Sequence, residues 1–127
     1  GGRARAFIAS LRSEGSEPDP GTVFVEALRL QGEGYAVDAH LLFRFAARHG
    51  HGQAALVLGN QADPAYRDAD IPDSLKNQPE QAYKWYSIAA EEGVDEAAAQ
   101  LQALREHIEQ SASNGDERAQ RLLLLWR

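Results

Sequence analysis

The sequence has no cysteine, few β-branched residues and no long hydrophobic run. The absence of cysteine excludes disulfides and thiolate metal sites. The longest apolar run, residues 122–126, is far shorter than the roughly 20 residues that span a bilayer, so we predict no membrane insertion. We see no targeting segment in this sequence. The two leading glycines are typical of a cloning scar, and we expect the chain to be a piece of a longer protein. Abundant alanine with few β-branched residues favours helix.

The residue patterns that carry catalysis are also missing. The segment GEGYAVD at 32–38 lacks the GxxxxGK spacing of a phosphate-binding loop. The serines are isolated from any nucleophile elbow, and the paired glutamates at 91–92 and 106–109 are typical of solvated helix surfaces. We therefore predict a non-enzymatic protein without a cofactor.

Two histidines flank a glycine and form an HxH pair, His49 and His51, which is a possible metal chelate. A site needs three or four ligands, and His40 lies on a different part of its helix. His107 has no local partner and is predicted to be a solvated helix residue. We therefore expect no metal site here.

An acidic segment at 63–77 invites comparison with a calcium loop, since it contains Asp63, Asp68, Asp70 and Asp73. A calcium-binding EF-hand loop has a central glycine and a terminal bidentate glutamate. Both are absent here. We predict a solvated acidic loop without a bound ion.

The net charge of −6 is unevenly distributed. Residues 1–60 carry six basic and six acidic side chains, whereas residues 61–127 carry seven basic and 13 acidic ones. Nucleic acids and anionic membranes need concentrated lysine and arginine. The charge distribution therefore disfavours both as partners.

Seven small or apolar residues recur after an offset of 43 positions, which is typical of a stacked helical array. The two sets are Ala39, Ala46, Ala47, Gly50, Ala54, Ala55 and Leu58, and then Ala82, Ala89, Ala90, Gly93, Ala97, Ala98 and Leu101. In the same register Phe43 matches Tyr86, and Leu42 matches Trp85. These four large residues, together with Phe45, are predicted at the core or between units.

Periodicity and capping signals predict about seven helices in one domain. Residues 3–34 hold two N-terminal helices, the second capped by Asp19 and buried through a stripe that includes Leu28. Residues 36–62 form a first repeat, 63–77 a long loop, and 78–112 a second repeat whose first helix is capped by Asn77. A 22-residue echo of Gly93 at Gly115 leaves room for only one long helix, about 94–112. Residues 116–126 form a capping helix.

The segment QAYKWYSIAAEEGVDEA at 81–97 resembles the Sel-one-like repeat, a relative of the tetratricopeptide repeat. Residues 38–59 are similar, through the AARHGHGQA segment and a final Leu-Gly. The resemblance implies helix–turn–helix units stacked as a short α/α solenoid, closed by a capping C-terminal helix pair. The long loop at 63–77 and the shortened last unit depart from the family pattern. The family implies a structural role for His51 and an adaptor function, often in bacteria.

In arrays of helix pairs, the first helices line the concave surface that partners commonly occupy. The polar residues predicted there are His40, Arg44, Arg48, Tyr83, Lys84, Ser87 and Glu91. The sequence thus predicts an adaptor that binds a protein or peptide. The alternative is a structural or regulatory domain packed on a larger parent protein, in which case Arg44, Arg48 and Lys84 would be engaged within the molecule. A metal-binding or catalytic domain is less favoured.

Overall fold

The computed structural model describes residues 1–68 and 71–126. These residues form seven α-helices and one short 3₁₀ turn, and no strand occurs among them. The helices are α1 (Gly2–Ser13), α2 (Pro20–Gly32), α3 (Ala36–Arg48), α4 (Gly52–Ala62), α5 (Pro79–Glu91), α6 (Asp95–Ser113) and α7 (Glu117–Leu125), with the 3₁₀ turn at Asp73–Leu75. The all-α helical array predicted from the sequence is confirmed, including one long helix after Gly93.

The same turn ends several helices. At the end of α3, Gly50 has φ +89°, its N–H donates to Ala47 O at 3.1 Å, and the His51 N–H donates to Ala46 O at 3.0 Å. Gly93 repeats this geometry at the end of α5, also with φ +89°. Glycine adopts this left-handed conformation without steric cost, so the chain reverses its direction at the positions where the sequence has these glycines.

Side-chain caps begin three of the helices. Asp19, His51 and Asp116 each accept a hydrogen bond from the backbone N–H three residues ahead, at 3.0 to 3.1 Å. The predicted Asn77 cap of α5 is wrong. Asn77 takes a left-handed φ of 55°, and Gln78 occupies the cap position without a side-chain bond. Instead, the Gln78 N–H donates to Ala62 O at 2.8 Å, which ties the start of α5 to the end of α4.

The helices pack in sequence order, and alternate helices also touch. Helix α1 lies on α3, and a Gln100–Asn60 hydrogen bond of 3.0 Å joins α6 to α4. Helices α5 and α7 meet through an Arg118–Glu80 ion pair of 2.7 Å. Helices α3 and α5 border a common groove. The odd-numbered helices, α1, α3, α5 and α7, therefore form one layer, which we call the odd layer.

Small residues let the helices approach closely at the centre of the array. Most of the repeated positions are fully or nearly fully buried; these are Ala39, Ala46, Ala47, Ala54, Ala55, Leu58, Ala82, Ala89 and Ala97. The tightest contact involves Gly59 of α4, where an added Cβ would lie 2.4 Å from the Tyr86 ring of α5. Phe43, Trp85 and Tyr86 are buried as predicted.

Some predicted core positions are not buried. Leu28 is 44% exposed, and Leu30, two residues later, is buried in its place at 2% exposure. Ala98 is exposed although Ala55, its counterpart in the first repeat, is completely buried. Ala90, Leu101 and Phe45 are half-buried at the edge of the core. For Ala98 and Leu101, the cause is that α6 continues past the length of a repeat helix and presents a different arc to its neighbours.

Candidate functional site

A groove of about 250 Å³ lies between α3 and α5 in the odd layer. Helix α3 contributes His40 and Arg44, and α5 contributes Gln81 and Trp85. The remaining lining residues come from α4, the 3₁₀ turn and the cap of α5; they are Leu58, Gln61, Ala62, Leu75 and Gln78. We call this the α3–α5 groove. It combines three side-chain amides, a cation and an indole, all groups that bind peptides.

His40 is held in place by Gln61. Its Nδ1 lies 2.9 Å from Gln61 Oε1, and Gln61 is itself buried. Burial lowers the pKa of His40, and the neighbouring charge of Arg44 lowers it further, while the Gln61 hydrogen bond opposes the shift. His40 therefore serves as a neutral donor that orients the Gln61 amide in the groove wall.

The cations at this groove have no carboxylate partner among the residues that the structure describes. Among residues 1–68 and 71–126, no ion pair engages Arg44, Arg48 or Lys84. The Lys84 Nζ lies 4.6 Å from the centre of the Trp85 ring, which places a second positive charge at the α5 wall. Arg44 therefore lines the groove itself, and Lys84 lies next to it, against the Trp85 ring that lines the α5 wall.

The other predicted partner-binding residues are separated from this groove. The Tyr83 ring stacks on Trp126 with centroids 4.5 Å apart, and the Ser87 hydroxyl donates to Tyr83 O at 2.7 Å. Tyr83 therefore belongs to the contact between α5 and the C-terminal end of α7, and the Ser87 hydroxyl is bonded within α5. Arg48 and Glu91 are exposed at the ends of their helices. The structure thus brings together His40, Arg44 and Lys84, but not the whole predicted set.

A second, larger groove of about 550 Å³ lies between α1 and α3. Its lining is mostly apolar and consists of Ala4, Arg5, Ile8, Ala9, Arg12, Leu41, Leu42 and Phe45. We call this the α1–α3 groove. Sequence reasoning assigned none of these residues to a site and placed Phe45 in the core. One sequence feature could have indicated this groove. Leu41 and Phe45 are four residues apart and therefore share a face of α3, next to the face that carries His40 and Arg44.

The two histidines of the HxH pair have separate structural roles. The Nδ1 of His51 accepts the Ala54 N–H at 3.1 Å, and its ring stacks on Phe24. The Nδ1 of His49 donates to Phe45 O at 2.8 Å. Burial lowers the pKa of His51, and only the nearby Asp19 opposes the shift. His107 is exposed on α6.

The aspartates of the acidic loop are likewise dispersed. Asp63 is buried, accepts the Ala65 N–H at 2.9 Å, and lies 2.8 Å from the hydroxyl of Tyr86. Burial and this hydrogen bond raise the pKa of Tyr86. Asp73 pairs with Lys76 at 3.6 Å, Asp68 is exposed, and Asp70 lies outside the described residues. Within the described part of the chain, no three histidine or acidic side chains are arranged to hold a metal, and no helix is long and apolar enough to cross a bilayer.

Comparison of the chain with protein-family models, with curated proteins and with solved structures finds no match.

Proposed function

We propose that this protein is a non-enzymatic adaptor of the Sel-one-like type, which binds a peptide segment of another protein on its odd layer. The observation that carries the proposal is the α3–α5 groove, where Arg44 lies beside a row of amides and Lys84 lies against the lining Trp85, and neither cation has an ion-pair partner among the described residues. A folded protein that leaves cations unpaired beside a groove presents them to a ligand of opposite charge.

The groove also offers the means to hold a peptide backbone. Gln61, Gln78 and Gln81 line the groove with amides, a group that both donates and accepts hydrogen bonds, as an extended peptide needs. One atom of two of them is already bonded within the protein: Gln61 Oε1 to His40, and Gln78 Nε2 to Ser74 O. Trp85 also lines the groove but is only 4% exposed, so it adds a small apolar area. Because these side chains lie on packed helices, little ordering entropy remains to be lost on binding.

The alternative, a domain that packs on the rest of a larger protein, predicts that the same cations are engaged internally. Among the described residues, Arg44 and Arg48 make no ion pair, and Lys84 contacts only a neighbouring ring. These cations are therefore open to a ligand from outside the described residues.

A peptide-display library tests the proposal. Selection on the native protein should enrich acidic peptides. The double variant Arg44→Glu with Lys84→Glu should bind the selected peptides with an affinity about tenfold or more lower. A matched double reversal at exposed cations outside the groove, Arg67→Glu with Arg121→Glu, should leave binding unchanged. Failure to enrich any peptide, or equal binding by all three proteins, would overturn the proposal.

A further inference from the structure

We propose that the α1–α3 groove binds an acidic amphipathic helix of a partner protein. This inference rests on the proposed adaptor function, because it names a partner class for the same odd layer. The apolar face of the helix would cover Ile8, Leu41 and Phe45, and its acidic residues would pair with Arg5 and Arg12.

The floor of the groove calls for an apolar ligand surface. Leu41, Phe45 and Ile8 are only half-buried, although each packs against the core. Two parallel ridges of helix side chains form the walls, and such a trough accepts the i, i+3, i+4 and i+7 side chains of a third helix. A nucleic acid has no side chains to fill such a floor, so the apolar lining favours a peptide.

The rim of the groove calls for negative charge at a defined spacing. Arg5 and Arg12 line the groove from α1 and are seven residues apart. At a rise of about 1.5 Å per residue they are separated by about 10.5 Å along the helix axis. Two acids seven residues apart on a docked helix have the same separation, so both ion pairs form at once.

The charge of the two helices that form the groove also favours an acidic ligand. Helices α1 and α3 carry five arginines and a single acid, Asp38, in a chain whose net charge is −6. Asp38 is buried and accepts the Ala4 N–H at 2.9 Å, so its charge is directed away from solvent. Helices α1 and α3 therefore carry a net positive charge in an otherwise acidic protein, and this charge steers an acidic ligand toward them.

The cation at the end of the groove is available for exchange. The Arg12 Nε lies 3.6 Å from the Glu17 carboxylate, and both side chains are more than half exposed. An exposed pair of this kind is weak and salt-sensitive. A partner carboxylate that docks together with an apolar face would replace Glu17.

The probe is a fluorescein-labelled helical peptide of about 16 residues, long enough for marginal helicity in water. It carries leucine at i, i+3, i+4 and i+7 and two glutamates seven residues apart; a control peptide has lysine at those two positions. Fluorescence anisotropy should show binding of the acidic peptide at least about tenfold tighter than that of the basic one.

Variants then locate the peptide on the protein. The double variant Arg5→Glu with Arg12→Glu should bind the acidic peptide about tenfold or more weakly than the native protein does, and should bind the basic peptide more tightly. Ala9 is exposed and lines the groove, so Ala9→Trp should fill the groove. This variant should bind both peptides more weakly without a lower melting temperature of the protein. Arg121→Glu should change neither affinity.

The double variant Arg44→Glu with Lys84→Glu separates this inference from the proposed function. It should leave the acidic helix bound, because those residues belong to the other groove. Three results would overturn the inference: loss of acidic-peptide binding in that variant, equal affinity for the acidic and basic peptides, or no binding at a peptide concentration of about 1 mM. In each case, library peptides that bind at the α3–α5 groove would still support the proposed adaptor function. A dimer in sedimentation that Ala9→Trp abolishes would show a second copy as the occupant and overturn it as well.

Discussion

Substituting Gly59 by alanine should destabilise the protein, although glycine is normally the poorer helix former. Gly59 lies inside α4, where alanine would add about 1 kcal/mol of helix propensity. An added Cβ, however, would lie 2.4 Å from Cδ1 and 2.5 Å from Cε1 of Tyr86. Real Cβ atoms essentially never come so close to a ring atom, so one of the two helices must shift.

Tyr86 has little freedom to make room. Its ring is completely buried, and its hydroxyl lies 2.8 Å from both Asn60 and Asp63. Moving the ring would strain or break those bonds, and moving α4 would open the α4–α5 contact. Overpacking of this kind costs about 1–3 kcal/mol, with about 1 kcal/mol more for each bond lost. We therefore expect a net loss of about 1–3 kcal/mol, or a fall in melting temperature of about 4–10 °C.

Urea unfolding followed by circular dichroism measures the loss. The matched control is Gly32→Ala at the end of α2, where the added Cβ meets no atom within 4 Å. It should be neutral or slightly stabilising. In a Tyr86→Leu background, Gly59→Ala should cost less, because the ring is gone. If Gly59→Ala proves as stable as Gly32→Ala, the close packing of α4 on α5 is refuted.

Three further predictions concern stability. His51 has a lowered pKa and caps α4 through an unprotonated Nδ1. Its contribution to the free energy of unfolding is therefore complete above about pH 6.5 and decreases as the pH falls below that value. In urea titrations at several pH values, His51→Asn should reduce this pH dependence, and exposed His107→Asn should not. Ala47→Leu should cost about 1–3 kcal/mol by calorimetry, whereas exposed Ala98→Leu should stay within about 0.5 kcal/mol. Gly93→Val should cost about 1–3 kcal/mol from its φ of +89° alone, and Gly93→Asn clearly less; equal losses would contradict the left-handed turn.

The helices themselves were predictable because their signals are local. Asp19 followed by proline begins α2, Gly50 and Gly93 end α3 and α5, and the apolar period runs between them. The prediction failed where a local signal was ambiguous. Asn77 is a common cap residue, but the Gln78–Ala62 backbone bond imposes a left-handed conformation at Asn77 and moves the cap by one position.

The candidate site was only partly predictable. His40 and Arg44 are four residues apart on one helix, so they were expected to share a face. Tyr83 satisfied the same pattern on α5, yet it stacks on Trp126, a residue 43 positions away. The α1–α3 groove escaped prediction for a similar reason, because α1 and α3 are separated in sequence by the whole of α2.

By itself, the sequence determined that this chain is helical, where most of its helices begin and end, and most of the small residues that lie between them. Those properties follow from hydrogen bonds and steric preferences within a few residues. The tertiary structure decided which arc of each helix is covered, and so whether Leu28 or Leu30 is buried and which polar residues border a groove. An amphipathic helix has apolar residues over a wide arc, and only its contacts with distant helices decide which part of that arc remains open to a partner.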